Sequence, residues 1–156
     1  MKKKVHLSTL TLIYSTLCLI TLLACAYLFR NTWNILLFSA CIIVWSIFAL
    51  FYMPLSISVN ESELNINRSL RIKSIPLSEI KSVKLCPPTM AEHRLLCSGG
   101  WFGYWGWFSE ASIGRYFAYY GKSSDRFLVE LKNGKKYIIG CEEPGDIVSY
   151  IDNRLK

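Results

Sequence analysis

The strongest constraint in this chain is a pair of uncharged apolar runs near its start. The runs, Leu7 to Phe29 and Trp33 to Met53, are separated only by Arg30, Asn31 and Thr32. At about 1.5 Å per residue they form helices of about 34 and 31 Å, and each is long enough for the roughly 30 Å hydrocarbon core of a bilayer. The sequence therefore predicts two antiparallel transmembrane helices.

The two spans divide the chain into two domains. Residues 1–54 form the predicted helical hairpin, and residues 55–156 are enough for one small further domain. Neither span contains Asp, Glu, Lys or His, so neither a proton relay nor an ion path is indicated. The hairpin is expected to be an anchor, with hydroxyl groups of the first span bonding to their own helix carbonyls or to the neighbouring helix.

The distribution of basic residues predicts that both ends of the hairpin are cytoplasmic. Three lysines precede the first span, Arg30 stands alone in the connection, and Arg68, Arg71 and Lys73 follow the second span closely. The alternative is a cleaved or lipidated signal peptide, with Ala24-Cys25-Ala26 as its processing site. Against this alternative, a 23-residue apolar run exceeds the usual signal core, and a second run follows at once.

Charge and cysteine usage narrow the function classes. The net charge of +7 owes much to the lysines before the first span, while all 11 acids lie after Asn60, so the second domain has scattered bases and no nucleic-acid patch. The six cysteines form no C-x-x-C pair, and reduced thiols are expected on a cytoplasmic face. Cys86 and Cys97 could pair only in an oxidising compartment.

After Pro54 the apolar pattern changes to the alternation of β-strands. Four short strands are predicted between Leu55 and Leu85, with Asn60-Glu61-Ser62 as the first hairpin turn. A polar loop is predicted from Thr89 to Ser98. Two later strands, 126–131 and 136–139, are joined through Asn133-Gly134, which indicates a type I′ turn. The chain is predicted to end in an amphipathic helix starting at Pro144.

The segment from Gly99 to Gly121 concentrates glycine and aromatic residues. A bulged or bent strand buried on both faces, with glycines making room for neighbouring rings, would explain this composition. The alternatives are an interfacial wedge, because Trp and Tyr favour the headgroup layer, and an aromatic patch for a protein partner.

Several short motifs resemble bacterial pleckstrin-homology (PH)-like domains. They are Ile75-Pro76-Leu77-Ser78-Glu79-Ile80, the run Gly103 to Phe108, Ile113-Gly114-Arg115-Tyr116 with Tyr119, and Tyr137 to Gly140 before Glu143-Pro144. The resemblance covers about Leu55 to Leu155. It implies a bent antiparallel sheet or split barrel capped by the C-terminal helix, often attached to membrane spans, and hence a location in the bacterial inner membrane.

The resemblance does not bring a phosphoinositide site with it. In lipid-binding PH domains the loop between the first two strands supplies Lys and Arg, whereas this loop is Asn60-Glu61-Ser62. The first hypothesis is therefore a non-enzymatic, cytoplasm-facing interaction or regulatory module with a protein partner. The alternative is a sensor of anionic lipid headgroups. Candidate headgroup or partner contacts are Arg68, Arg71, Lys73, Trp101, Trp105 and Trp107.

Signals for catalysis are weak, and an enzyme acting on a membrane substrate is the least favoured hypothesis. His93 is expected in a polar loop without clustered metal ligands, and Ser78 and Lys81 match a Ser-x-x-Lys pattern that is common by chance. No cysteine has a histidine nearby in sequence to activate it. No catalytic, cofactor-binding or metal-ligating residue is therefore predicted, and no cofactor is expected.

Overall fold

The computed structural model describes residues 1–28, 31–88 and 92–155. Four positions named above, Phe29, Arg30, Thr89 and Lys156, lie outside these ranges. In chain order the elements are β1 (Lys2–Lys4), α1 (Thr9–Leu28), α2 (Thr32–Tyr52), β2 (Pro54–Val59), β3 (Glu63–Arg68), β4 (Ile72–Pro76), a 3-10 turn (Leu77–Glu79), β5 (Ile80–Leu85), β6 (Glu92–Gly100), β7 (Gly103–Glu110), β8 (Gly114–Tyr120), β9 (Arg126–Leu131), β10 (Lys136–Gly140) and α3 (Pro144–Leu155).

Both predicted apolar helices are present, and they pack side by side as α1 and α2. Each has 20 residues in its apolar part, and the mean hydropathies over an 18-residue window are 2.0 and 2.5, so both are long and apolar enough to cross a membrane. Most of their side chains are exposed, so little of their apolar surface is covered by the rest of the chain. The second helix ends where the Met53 amide donates to the Ala49 carbonyl, and Pro54 then begins β2.

The first sheet is antiparallel, in the order β1-β2-β3-β4. The predicted alternation places Ile57, Leu64, Ile66 and Ile75 on its inner face, where all four are at most 3% exposed. The predicted hairpin between β2 and β3 is confirmed, with Ile57 opposite Ile66.

The edge strand β1 is an element that the sequence did not predict. Lys2, Lys3 and Lys4 pair with β2, with Lys3 opposite Ile57, so the chain before α1 and the chain after α2 share one sheet. The Lys3 ammonium also donates to Asp146 in the first turn of α3, at 2.7 Å. The N-terminal lysines therefore belong to the β-sheet domain as well as preceding the first helix.

The second sheet has the order β5-β9-β10-β8-β7-β6, and only the β10-β8 pair is parallel among its described pairs. The prediction of a polar loop over residues 89–98 is wrong, because Glu92–Gly100 is strand β6 and His93 is an exposed residue on it. Exposed Leu95 and Leu96 follow each other across a bulge between Arg94 and Leu96. Because of the bulge and the edge position, the sequence of β6 lacks the alternation of apolar and polar residues that predicts a strand.

The glycines of β7 leave room for the backbone of neighbouring strands more than for neighbouring aromatic rings. Gly106 has φ +117°, and a Cβ there would lie 2.5 Å from the Cys97 Cα of β6. Burial of β7 is high on both faces, as predicted, but the described bulge lies in its partner β6. Gly106 is therefore required for close pairing of the two strands.

The hairpin between β9 and β10 is confirmed, but its turn differs from the predicted type I′. Gly134 has φ +79°, whereas Asn133 does not have a positive φ. The Gly134 amide donates to the Leu131 carbonyl at 3.0 Å, and the Leu131 amide donates to the Lys135 carbonyl at 2.8 Å. These features fit a type I turn followed by one left-handed glycine.

One core joins the two sheets, and α3 covers it. Ile147 and Ile151 of α3 are fully buried, together with Val59 of the first sheet and Phe127 and Val129 of the second. The sheets remain open, and the helix starts at Pro144 with Asp146 in its first turn, as predicted. Two N-terminal helices followed by a mainly β domain with a C-terminal helix are the predicted fold class.

The six cysteines are free thiols, and Cys86 and Cys97 form no disulfide. Cys141, between β10 and α3, is 2% exposed, and burial raises the pKa of its thiol to about 12. The reactive thiolate is thus scarce at neutral pH.

Iodoacetamide should leave Cys141 of the folded chain unmodified at pH 8. A thiol with a pKa of about 12 reacts about three orders of magnitude more slowly than a free thiol, and burial also blocks access. Mass spectrometry of tryptic peptides measures the modification, and the same protein in SDS serves as the fully reactive control. Rapid alkylation of Cys141 in the folded chain would contradict its buried position.

Candidate functional site

The ends of the two helices, the N-terminal strand and the β3-β4 turn lie at one end of the domain. The β2 strand begins directly after α2, and its first residue, Pro54, lies opposite Arg68. The Val5 amide donates to the Leu55 carbonyl at 3.0 Å, which brings the chain before α1 to the same place. Residues that are far apart in sequence are therefore neighbours where the helices meet the sheet.

An open hollow of about 860 Å³, here called the basic hollow, lies at this end of the first sheet. Four of its ten lining residues are basic and none is acidic, while exposed Leu55, Leu70 and Ile72 add apolar surface. An anionic group flanked by apolar surface matches this combination. The ten lining residues are Lys2, Lys4, Leu55, Ser56, Asn67, Arg68, Ser69, Leu70, Arg71 and Ile72.

The polar side of the basic hollow is held by side-chain hydrogen bonds across β2 and β3. The Asn67 amide nitrogen donates to the Ser56 and Ser58 hydroxyls at 3.2 and 3.1 Å. These bonds order the surface between the lysines of β1 and the arginines at the β3-β4 turn. The hollow is therefore a defined feature of the sheet, although the lysine side chains themselves are exposed.

Arg68 lies between the basic hollow and the aromatic side chains beneath it. Its guanidinium carbon lies 5.8 Å from the Tyr52 ring centroid and 5.7 Å from that of Tyr119. Its Nε is buried without a hydrogen-bond partner in the described structure. Cation-π contacts hold the side chain at this junction, and its remaining donors can reach an anion.

The other predicted contacts are not in the basic hollow. Lys73 lies 4.9 Å from the Tyr137 ring centroid, away from the hollow. Trp105 is 6% exposed and stacks on Tyr52 at 5.3 Å, and its Nε1 donates to the Trp101 carbonyl. The structure thus brings Arg68 and Arg71 together and joins Trp105 to Arg68 only indirectly, through Tyr52.

Trp101 and Trp107 are half-buried beside the helices. Trp107 packs edge-on against Phe117 at 5.2 Å, and Arg115 lies 4.8 Å from its ring centroid. Near Trp101, the Ser15 hydroxyl of α1 lies 2.9 Å from the Gly100 carbonyl and accepts from the Phe102 amide at 3.1 Å. This serine bonds to the β6-β7 turn, a partner that was not predicted, and fixes the turn against α1.

A buried arginine joins the end of β5 to the start of β6. Arg126 is 2% exposed, and its Nε and Nη2 donate to the carbonyls of Cys86 and Pro87, each at 3.2 Å. Its Nη1 forms an ion pair with Glu92 at 3.2 Å. All three guanidinium nitrogens therefore have partners, as a buried charge requires.

Two tyrosines complete the surroundings of Glu92. The Tyr116 and Tyr120 hydroxyls both donate to its carboxylate. Burial, together with the Glu92 charge, raises the pKa of both tyrosines well above the ordinary value. They remain protonated donors at neutral pH, so the cluster around Arg126 is a structural support of the second sheet.

His93, Ser78 and Lys81, the weak catalytic signals of the sequence, lie on three different elements of the described structure. Exposed His93 is on β6, exposed Ser78 is in the 3-10 turn, and Lys81 of β5 forms an ion pair with Glu130 at 3.1 Å. Within the described ranges no three His, Cys, Asp or Glu side chains are grouped so that they could hold a metal ion.

The sequence did not identify Lys2 and Lys4 as site residues. The only signal was the run of three lysines, which was interpreted as a topology determinant. Their place in the basic hollow depends on the pairing of β1 with β2 across the two helices.

A family model described as bacterial PH domain matches residues 55–155. The match begins at the second residue of β2 and ends with the last residue of α3. No curated protein and no solved structure matches the chain significantly.

Proposed function

This chain belongs to the bacterial PH domain family, and we propose that it is a non-enzymatic binding module anchored in the bacterial inner membrane by α1 and α2. The family indicates an interaction or binding module. Its ligand in this proposal is an anionic phospholipid headgroup, bound in the basic hollow on the cytoplasmic side.

The helices and lysines support anchoring in this orientation. Both helices are long and apolar enough to span, and neither contains an acidic or basic residue within its described range. The lysines of β1 and the arginines at the β3-β4 turn meet at one end of the hairpin, and the positive-inside rule favours a cytoplasmic location for that end. The β domain then lies directly against the membrane, because β2 follows α2 without a linker.

The observation that carries the ligand assignment is the composition of the basic hollow. Lys2, Lys4, Arg68 and Arg71 surround it without any acid among its lining residues. At a membrane surface each such base is worth about 1 kcal/mol of attraction to anionic lipids. Leu70 and Ile72 are 60% and 61% exposed at its rim, where they can enter the interfacial layer.

Replacing Lys2, Lys4 and Arg71 together by glutamine should lower the affinity for phosphatidylglycerol at least about tenfold, because three exposed charges facing the headgroups are removed. Native mass spectrometry of the detergent-solubilised full chain, titrated with phosphatidylglycerol or phosphatidylcholine, measures the bound lipid. The affinity of the unaltered chain for phosphatidylglycerol should fall as salt rises, since exposed charges are screened.

The matched control replaces Lys84, Lys132 and Lys135, three exposed bases outside the hollow, by glutamine. It removes the same charge and should bind phosphatidylglycerol like the unaltered chain. Equal binding by the two triple variants would reject the basic hollow as the headgroup site. A protein partner recovered with the control but lost from the hollow variant, without a change in lipid binding, would favour the protein-interaction hypothesis.

A further inference from the structure

Two cavities lie between the helical hairpin and the outer strands of the second sheet. One, of about 500 Å³, is bounded by α1, and the other, of about 450 Å³, by α2. Trp45 of α2 and Cys97 of β6 line both cavities, so the two adjoin each other; together they are here called the hairpin groove.

The lining of the hairpin groove is mostly apolar and carries no formal charge. No Asp, Glu, Lys, Arg or His is among the residues that line either cavity. Its polar groups are few, including the Thr21 hydroxyl, which already donates to the Leu17 carbonyl at 2.9 Å. The Arg94 guanidinium packs over Gly99 at the edge of the groove without being one of its lining residues. Inside the lining itself a charged group would find no partner, whereas a hydrocarbon would match it.

The hairpin groove runs beside the membrane-spanning portions of both helices. On α1 its lining extends from Tyr14 to Leu22 and on α2 from Val44 to Tyr52, about 12 Å of helix in each case. Leu17, Val44 and Phe48 line the groove and are still 48% to 59% exposed, so it opens sideways onto the apolar surface of the helices. The medium that surrounds the helices therefore has direct access to it.

A positive charge lies next to one end of the hairpin groove, on Arg68, which contacts the lining residue Tyr52 but does not itself line the groove. Tyr52 lines the cavity beside α2, and the guanidinium of Arg68 lies over the Tyr52 ring at 5.8 Å. The buried Arg68 Nε has no hydrogen-bond partner in the described structure. An amphiphile with a hydrocarbon chain and an anionic head matches this order of an apolar groove followed by a guanidinium.

We propose that the hairpin groove binds one acyl chain of a membrane phospholipid, with the lipid phosphate beside Arg68. The acyl chain lies between α1, α2 and the β6-β7 hairpin and covers the apolar surface around Trp45 and Cys97. The inference rests on the proposed membrane anchoring. It does not require that the basic hollow binds the headgroup of another lipid.

Photocrosslinking of the full chain tests this assignment. The protein is reconstituted in vesicles of phosphatidylethanolamine and phosphatidylglycerol that contain a phosphatidylcholine with a diazirine on its acyl chain. After illumination, mass spectrometry identifies the labelled peptides. Label on the α1 and α2 peptides tests membrane anchoring, and label on the peptides from Glu92–Glu110 tests the hairpin groove.

A matched pair of variants separates the groove from the outer surface of the β6-β7 hairpin. Thr21 and Thr16 are both exposed on α1 and both donate to the carbonyl four residues earlier, but only Thr21 lines the groove. The Thr21→Phe ring occupies the space of several chain methylenes, so label on β6 and β7 should fall about tenfold. Thr16→Phe should leave it unchanged.

Three results would overturn the acyl-chain site. Labelled helices with unlabelled β6 and β7 would mean that anchoring holds while the groove excludes lipid. Equal label in the Thr21→Phe and Thr16→Phe proteins would place the lipid outside the groove. Unlabelled helices would reject the anchoring itself and with it the acyl-chain site.

Discussion

Replacing Arg126 by methionine should destabilise the domain by about 3 to 5 kcal/mol, the usual effect of breaking a buried ion pair. The substitution leaves the Glu92 carboxylate without its cation and the Cys86 and Pro87 carbonyls without their donors. The free energy of unfolding of a domain of this size is only about 5 to 15 kcal/mol, so the substitution would remove a large part of it. Thermal unfolding of the full chain in detergent, followed by near-UV circular dichroism, measures the change.

The control for Arg126 is an exposed ion pair of the same sheet. Lys81 lies 3.1 Å from Glu130, and its side chain is 61% exposed, so Lys81→Met should cost less than about 1 kcal/mol. The double substitution Arg126→Met with Glu92→Gln should recover part of the stability, because the unpaired charge is removed. An Arg126→Met protein as stable as Lys81→Met would show that the buried cluster does not support the sheet.

Substituting alanine for Gly106 should destabilise the domain by about 3 kcal/mol or more, since backbone strain and overpacking each cost about 1 to 3 kcal/mol. The backbone has φ +117° there, and the new Cβ would lie 2.5 Å from the Cys97 Cα and from the Leu96 carbonyl oxygen. Neither neighbour can rotate away, because both atoms belong to the backbone of β6. Chemical unfolding of the full chain in detergent, monitored by tryptophan emission, measures the loss.

Gly145 provides the comparison for Gly106. It lies in the first turn of α3, its φ is not positive, and an added Cβ meets no atom within 4 Å. Gly145→Ala should leave stability unchanged or raise it by up to about 1 kcal/mol, as expected for alanine in a helix. If Gly106→Ala and Gly145→Ala unfold alike, close pairing of β6 with β7 does not depend on the glycine.

Local patterns predicted most of the elements correctly. Two long uncharged runs identified α1 and α2, and the alternation around Ile57 and Ile66 identified the first hairpin. The Asn133-Gly134 pair placed the β9-β10 turn, although not its type. In each case the signal lies within about ten to twenty residues, and the side chains that carry it face the core or a long apolar surface.

The errors lie where pairing is remote or the period is broken. A run of lysines carries no strand periodicity, so β1 became visible only through its pairing with β2, more than 50 residues later. In β6 a bulge places Leu95 and Leu96 next to each other as exposed residues, which hides the strand. Lys2 and Lys4 of the basic hollow were missed because their strand is recognisable only from its remote pairing. Arg68 and Arg71 were found because they follow the second apolar run.

The pairing of β1 with β2 has a consequence for how the protein is made. In the proposed membrane-anchored chain, β1 is synthesised before both helices and its partner after them. On that proposal the first sheet can close only when both flanks of the hairpin are on the same side of the membrane. A chain in which one helix failed to insert would separate the two strands by a bilayer and leave the edge of β2 unpaired. On the same proposal, pairing of the three-residue strand β1 requires that both helices have inserted.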